Sequence, residues 1–172
     1  MDMKIYTRTG DAGETSLYSG ERVMKCCPRV DVYGEADELQ ASLGLARAFA
    51  TQPETGRMLY GLQQTLVSAM AELATVGGPK RIGTEDVEGL EQEIDEIAQK
   101  VSSGFSFLIP GENPCSAALH VARTVARRCE RALILFSEDE ELSSEMLAFF
   151  NRISDLCYIL ARYEDECQDD TV

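Results

Sequence analysis

The sequence predicts an all-α fold, a bundle of five helices preceded by an N-terminal loop arm. Five segments repeat apolar residues at the three- and four-residue spacing of an amphipathic helix, and short connections join them. No credible strand run interrupts these segments, and helices with one apolar face bury it most simply against each other. At 172 residues the chain fits a single domain, 1–172, that can bury a full core without metals or disulfides.

Charge and cysteine usage narrow the class of protein. A formal net charge of −14 would repel nucleic acid and an anionic membrane surface, so neither is expected as the main partner. No targeting segment follows Met1 and no apolar run is long enough to span a membrane, so we expect a soluble, cytoplasmic protein. Six cysteines without a C-x-x-C pair, and one histidine, give no zinc pattern and predict free thiols.

The arm, residues 1–28, contains the segment TRTGDAGET at 7–15. Its glycines let backbone N–H groups approach phosphate oxygens, its hydroxyls can donate, and its carboxylate can act through a cation. These groups could bind a nucleotide, although the segment matches neither the P-loop pattern G-x-x-x-x-G-K-[ST] nor the dinucleotide-binding pattern G-x-G-x-x-G. From the residues alone, a flexible arm of ordinary turn composition stays open as the alternative.

The next three segments predict helices at about 32–50, 57–76 and 84–101. Asp37 lies near the start of the first, where an acid favours the helix dipole, and this is its simplest explanation. The second helix contains nothing reactive and is expected to lie in the core. The acidic outer face of the third is expected to be solvated.

An apolar loop at 102–112, containing Phe107, precedes the fourth helix and could either line a ligand pocket or cap the core. Asn113 and Pro114 form a good N-cap and first position, which predicts a fourth helix over Pro114–Phe136.

The fourth helix has an apolar face and a basic face. On the apolar face the spacing predicts Ala118, Val121, Ala122, Val125, Ala126, Cys129, Ala132 and Leu133. On the polar face it predicts His120, Arg123, Arg127, Glu130 and Arg131. Together with Arg128, four arginines fall within nine residues of a very acidic protein. A small anionic ligand and a solvated face held by ion pairs explain the cluster about equally well.

The fifth helix begins at Ser143 or Ser144 and carries Asn151 and Asp155 on one face. A helix interior disfavours asparagine, so Asn151 invites a functional explanation. Residues 164–172 predict a disordered acidic tail. A di-iron centre, the first metal site to consider in such a bundle, fails because no Glu-x-x-His occurs, and the lone His120 is more often structural than catalytic.

Four segments together resemble one family: KIYTRTGDAGETSLYSGERVMK at 4–25, YGEADELQASLG at 33–44, FLIPGENPCSAALHVARTVARRCER at 107–131 and FFNRISDLCYILAR at 149–162. They are similar to the PduO-type ATP:cob(I)alamin adenosyltransferases, five-helix bundles that assemble as trimers. With the intervening helices the resemblance covers nearly the whole chain. It implies a homotrimer with active sites at subunit interfaces, and ATP, Mg²⁺ and cobalamin as ligands.

The resemblance also implies residue roles. The residues implied to wrap the ATP phosphates are Thr7, Arg8, Thr9, Gly10, Asp11, Gly13, Thr15 and Lys25. Arg127, Glu130 and Asn151 of a neighbouring subunit are implied to complete the ATP site, with Mg²⁺ held mostly by the phosphates and by Glu130.

The corrinoid side of the site is implied to contain Phe107, His120 and Arg123. Asp37 is implied to pair with Arg123 across the subunit interface, and Phe107 to wall the lower face of the corrin. Cys26 and Cys27 depart from the family, whose members commonly have acids there. A neutral substitution is the simplest explanation; redox sensitivity and a subunit contact stay open.

The implied reaction fits the residue inventory, because no serine, cysteine or histidine with a positioned base is evident. Cobalt(I) would attack the 5′ carbon of ATP and expel triphosphate. A reductase that supplies cob(I)alamin and an adenosylcobalamin-dependent acceptor enzyme are then the expected partners. The alternatives are a non-catalytic trimeric helical module that binds or delivers nucleotide or corrinoid, and an enzyme with another acceptor.

Overall fold

The computed structural model describes residues 5–102 and 109–169, and it contains five helices and one small sheet. The helices are α1 Pro28–Ala48, α2 Pro53–Leu73, α3 Thr84–Ala98, α4 Pro114–Phe136 and α5 Ser144–Asp169. The strands are β1 Glu14–Ser16 and β2 Arg22–Met24. The prediction of five helices is confirmed, and the bounds of the fourth agree with the sequence.

The two strands form an antiparallel hairpin within the arm, which the sequence did not predict. Thr15 lies opposite Val23, and the Leu17 N–H donates to the Glu21 carbonyl at 2.8 Å to close the turn. Gly20 adopts φ 90°, a conformation that glycine reaches without strain. Strands of three residues are too short to show an alternating pattern, so the prediction of an arm without strands was wrong.

Helix α4 lies at the centre of the bundle. It packs against both α1 and α5, while α2 packs on the far side of α1 and α3 on the far side of α5. The buried residues of α4 are largely small, including Ala118, Ala122, Ala126 and Cys129. Small side chains let the two neighbouring helices approach closely, and larger ones such as Phe149 and Leu39 fill the layers between them.

Proline sets the start of three helices. Pro28, Pro53 and Pro114 occupy first-turn positions of α1, α2 and α4, where the missing N–H costs no hydrogen bond. In α4 the Asn113 side chain accepts from the Ser116 N–H at 2.8 Å. Helices α1 and α2 therefore begin about one turn before their first regularly spaced apolar residue, earlier than the sequence predicted.

The sequence predicted a disordered tail from residue 164, but α5 continues to Asp169, so this prediction was wrong for residues 164–169. Glu164 is fully buried. Its carboxylate accepts from the Thr51 N–H, the Thr51 hydroxyl and the Gln52 N–H just before α2. An acid that composition assigned to a solvated tail thus satisfies backbone donors of the two residues that precede α2.

Two residues of α4 lie on the opposite face to the one predicted. His120 is buried, with 7% of its surface exposed, whereas Val121 is 53% exposed. Because α4 is flanked by two helices, its buried sector is wider than a single apolar stripe and takes in His120. In the described parts of the chain, no helix is both long and apolar enough to cross a membrane.

Candidate functional site

The arm is held in a defined shape by Arg22. Its guanidinium donates to the Thr9 carbonyl at 2.8 Å and to the Glu14 carboxylate at 3.1 Å. The Lys25 N–H donates to the Gly13 carbonyl at 2.8 Å, which ties the loop to the end of β2. A Cβ at Gly10 would lie 3.0 Å from the Glu14 carbonyl oxygen and 3.3 Å from Lys25 Nζ, so any larger residue there would have to displace these neighbours slightly.

The first loop of the arm contains two residues with positive φ. Arg8 has φ 61°, in the left-handed region that residues other than glycine avoid, and is strained, whereas Gly13 reaches φ 88° without strain. The hydroxyls of Thr7 and Thr9 lie 2.8 Å apart and both residues are exposed. Strained, hydroxyl-rich turns of this kind are found at ligand clamps. The loop thus offers backbone N–H groups, two hydroxyls and the nearby Lys25 ammonium to an anion.

A cleft of about 420 Å³ lies between the hairpin and helices α1 and α2. Its lining is mostly apolar and includes Tyr18, Tyr33, Val67 and Met70. Of the phosphate-binding candidates it contains only Thr15. An apolar lining suits a flat ring or another side chain better than a triphosphate.

On the other side of the bundle, α4 and α5 bring two predicted site residues together. Asn151 Nδ2 donates to Glu130 Oε1 at 2.7 Å. Arg152 donates to Asn151 Oδ1 at 2.6 Å and to Glu91 of α3 at 2.8 Å. The second carboxylate oxygen of Glu130 has no partner among the described residues and could contribute one ligand to a cation.

His120 and Arg123 also lie together. Arg123 Nε donates to His120 Nδ1 at 3.3 Å, which places the imidazole proton on Nε2. Burial lowers the pKa of His120, and the charge of Arg123 lowers it further. His120 Nε2 is buried and has no hydrogen-bond partner among the described residues, which leaves one donor for a ligand to satisfy.

The four arginines of α4 have different environments. Arg128 binds Glu35 and Glu38 of α1, and these carboxylates raise its pKa, so it holds two helices together. Arg131 donates to the Arg127 carbonyl. The guanidinium of Arg127 is exposed and has no partner in the described parts of the chain. The solvated-face explanation therefore fits Arg128, while Arg127 stays available to an anion.

Several expected contacts are not made within one chain. The carboxylate of Asp37 is exposed and has no partner among residues 5–102 and 109–169, and no ion pair joins it to Arg123. Within the same residues, no hydrogen bond or ion pair links the arm to Arg127, Glu130 or Asn151. Asp11 is exposed in the loop. Phe107 lies outside the described residues.

The cysteines divide into two groups. Burial raises the pKa of Cys115, Cys129 and Cys157 to about 12, so these thiols behave as small apolar core residues. Cys26 is exposed and Cys27 is half-buried at the start of α1. Within the described residues, no three acidic, histidine or cysteine side chains are grouped to hold a metal ion.

Sequence reasoning missed Arg22, Arg152 and Glu164. Arg22 and Arg152 act through contacts to residues far along the chain, at Thr9 and Glu91, which no local pattern reveals. For Arg152 a signal was present, since it directly follows the unusual helical Asn151.

Comparisons with known proteins identify one family. A sequence model described as cobalamin adenosyltransferase matches residues 5–164. The corrinoid adenosyltransferase PduO of Salmonella typhimurium is 42% identical over 168 residues, or 95% of this chain and 50% of that protein. The chain therefore spans about half the length of this relative.

A second relative and a solved structure match along nearly their whole length. A corrinoid adenosyltransferase of Citrobacter freundii is 42% identical over 96% of this chain and 97% of its own. A variant of the PduO-type ATP:corrinoid adenosyltransferase from Lactobacillus reuteri, solved in complex with cobalamin and ATP, superposes with a TM-score of 0.86 at 33% identity. The match covers 96% of this chain and 93% of that one.

Proposed function

Because the chain belongs to the cobalamin adenosyltransferase family, we propose that it transfers the 5′-deoxyadenosyl group of ATP to the cobalt of cob(I)alamin. The names of its relatives support this reaction, as does the Lactobacillus reuteri structure that contains both cobalamin and ATP. The observation on this chain that supports the proposal is the arm, in which Arg8 at φ 61° and Gly10 beside Lys25 form a turn suited to an anion.

The reaction needs no nucleophile from the protein. The electron pair of cobalt(I) attacks C5′ of ATP, the Co–C5′ bond forms, and the C5′–O bond breaks to release triphosphate. The protein then has to orient the two substrates and stabilise the anionic leaving group. Lys25 and Arg127 are exposed cations suited to the phosphates, and the hydroxyls of Thr7 and Thr9 can donate to the same oxygens.

Mg²⁺ fits this arrangement as an ion carried mainly by ATP. Magnesium in nucleotide sites takes one or two protein carboxylates plus phosphate oxygens and water. Glu130 has one carboxylate oxygen held by Asn151 and one without a partner in the described chain, which suits a single ligand of this kind. Bound there, the ion would neutralise charge that develops on the triphosphate.

We propose that the site forms between subunits of a homotrimer. Within one chain, Asp37 and the guanidinium of Arg127 are exposed without partners among the described residues. Across an interface, Asp37 would pair with Arg123 of a neighbour, and Arg127, Glu130 and Asn151 of that neighbour would meet the arm. Exposed opposite charges on α1 and α4 support such a contact.

The corrinoid would lie beside Arg123 and His120. The buried Nε2–H of His120 has no acceptor in the part of the chain that the structure describes and could donate to an amide of the corrin periphery. Phe107 would exclude the lower axial base, which makes the cobalt(II) precursor easier to reduce. Replacing Phe107 by histidine or alanine should then lower turnover from cob(II)alamin more than ATP binding. Equal losses of both would argue against this role.

The direct test mixes the protein with ATP, Mg²⁺ and chemically reduced cob(I)alamin under anaerobic conditions. We expect the absorbance to change to that of adenosylcobalamin, with one triphosphate released per turnover. Binding of both ligands without this change would instead support the non-catalytic module. A reductase and an adenosylcobalamin-dependent enzyme are the proposed partners upstream and downstream.

A further inference from the structure

Arg152 makes two short hydrogen bonds next to the proposed site. It follows Asn151 on α5, and its guanidinium donates to Asn151 Oδ1 at 2.6 Å through Nη1. Through Nε it donates to Glu91 of α3 at 2.8 Å. Asp155 lies 4.0 Å from Nη1 and adds a weaker attraction. The side chain is 33% exposed, so the contacts are partly shielded from water.

These contacts fix the orientation of the Asn151 amide. A guanidinium has only donors, so the amide atom facing Arg152 must be the oxygen. The carboxylate of Glu130 has only acceptors, so the atom facing it must be Nδ2, at 2.7 Å. A chain of charge-assisted hydrogen bonds thus runs from Glu91 on α3 through Arg152 and Asn151 on α5 to Glu130 on α4.

This orientation decides what the site presents to a ligand. With one amide hydrogen bound to Glu130, Asn151 keeps one N–H, and with one lone pair bound to Arg152 its oxygen keeps one acceptor position. Without Arg152 only the bond to Glu130 would hold the amide, and its oxygen would lose the donor that fixes its direction. The amide plane could then turn about this single bond, which would change the contacts made with a phosphate or with Mg²⁺.

We propose that Arg152 is a positioning residue of the nucleotide site, acting through Asn151 and Glu130. The inference rests on the proposed function, because it assumes that Asn151 and Glu130 contact ATP or its metal ion. Glu91 serves as the anchor that holds the guanidinium. Arg152 itself is not expected to touch ATP.

The test compares Arg152→Met, which keeps the aliphatic stem, with Arg152→Lys and Glu91→Gln. For Arg152→Met we expect the KM for ATP to rise roughly tenfold, the effect of one lost charge-assisted hydrogen bond, while the KM for corrinoid changes less than about twofold. Arg152→Lys should restore part of the ATP affinity, and Glu91→Gln should raise the KM less. Calorimetric binding of ATP without corrinoid should show the same order.

A matched control separates positioning from general destabilisation. Arg57→Met removes another arginine that lies near acids of α3, at 3.9 Å from Glu93, but it has no contact with Asn151. It should leave the KM for ATP unchanged. All variants should keep the helical circular dichroism of the parent.

A double-mutant cycle tests the route of the effect. If Arg152 acts through Asn151, adding Arg152→Met to Asn151→Ala should weaken ATP binding little further. Multiplying losses would overturn the inference, and so would equal increases in KM for both substrates. An inactive parent protein would contradict the proposed function, whereas an active parent with unchanged ATP affinity in Arg152→Met would contradict only this inference.

Discussion

Glu164 offers the sharpest test of the packing, because a charged side chain with no exposed surface supports the start of a distant helix. Its carboxylate oxygens accept from the Thr51 N–H at 3.2 Å, the Thr51 hydroxyl at 2.5 Å and the Gln52 N–H at 3.1 Å. Gln52, the N-cap of α2, makes no capping bond with its own side chain. Glu164 therefore anchors the two residues that precede α2, Thr51 and the N-cap Gln52, from a distant helix.

The cost of Glu164→Ala follows from those contacts. Three hydrogen bonds at about 1 kcal/mol each give about 3 kcal/mol. For a chain of this length, about 3 kcal/mol lowers the midpoint of thermal unfolding by about 6–12 °C. Glu164→Gln should cost less than Glu164→Ala, because the amide keeps one acceptor and loses the charge.

The assay is thermal and urea unfolding followed by circular dichroism, with every variant at the same protein concentration because the proposed assembly would contribute to stability. Glu88→Ala is the control, since this α3 carboxylate is exposed and makes no hydrogen bond in the described chain. It should change the free energy of unfolding by less than about 0.5 kcal/mol. If Glu164→Ala unfolded within 2 °C of the parent, a measured shift well below the roughly 6 °C expected, this anchoring role would be refuted.

Three further predictions concern titrating and charged groups. In the native protein at pH 8, iodoacetamide should label exposed Cys26 rapidly. The three core thiols, with pKa raised to about 12, should react only after unfolding, and early labelling of Cys115, Cys129 or Cys157 would contradict their burial. The folded pKa of His120 is lowered, so the unfolded state binds protons more readily as pH falls through its ordinary value of 6.5. The free energy of unfolding should therefore decrease in acid more for the parent than for His120→Asn, and parallel pH profiles would refute this. Arg128→Ala should destabilise the fold without a selective loss of ATP affinity, measured by unfolding and calorimetry; a large loss of affinity in a stable variant would place Arg128 in the site.

Local sequence patterns predicted the helices well, because each apolar stripe spans several turns and the proline starts are unambiguous. They failed where structure depends on a few long-range contacts. The two strands of the hairpin, Glu14–Ser16 and Arg22–Met24, are too short to show an alternating pattern. Glu164 looks solvated in the sequence because Thr51 and Gln52, which donate to it, lie far along the chain. His120 was misplaced because a helix between two partners buries more than one stripe.

The candidate site was predicted mainly from family resemblance, and the residues alone left the basic helix ambiguous. The structure brings Glu130 to Asn151 and His120 to Arg123, contacts that helix spacing could suggest but not orient. It also separates Arg128, a structural ion-pair partner, from Arg127. The contribution of Arg152 required three helices in place, so it could not be read from any single segment.

The central claim, an adenosyl transfer site assembled from two chains, is tested most directly by mixing variants. Lys25→Ala should disable the arm and Arg127→Ala the helix that meets it, so that each variant alone has little activity in forming adenosylcobalamin. In trimers assembled at random from equal amounts of both, about one quarter of the sites would combine an intact arm with an intact neighbouring helix. We predict recovery of about a quarter of the parent rate. Activity no greater than the mean of the two variants would contradict a site shared between subunits.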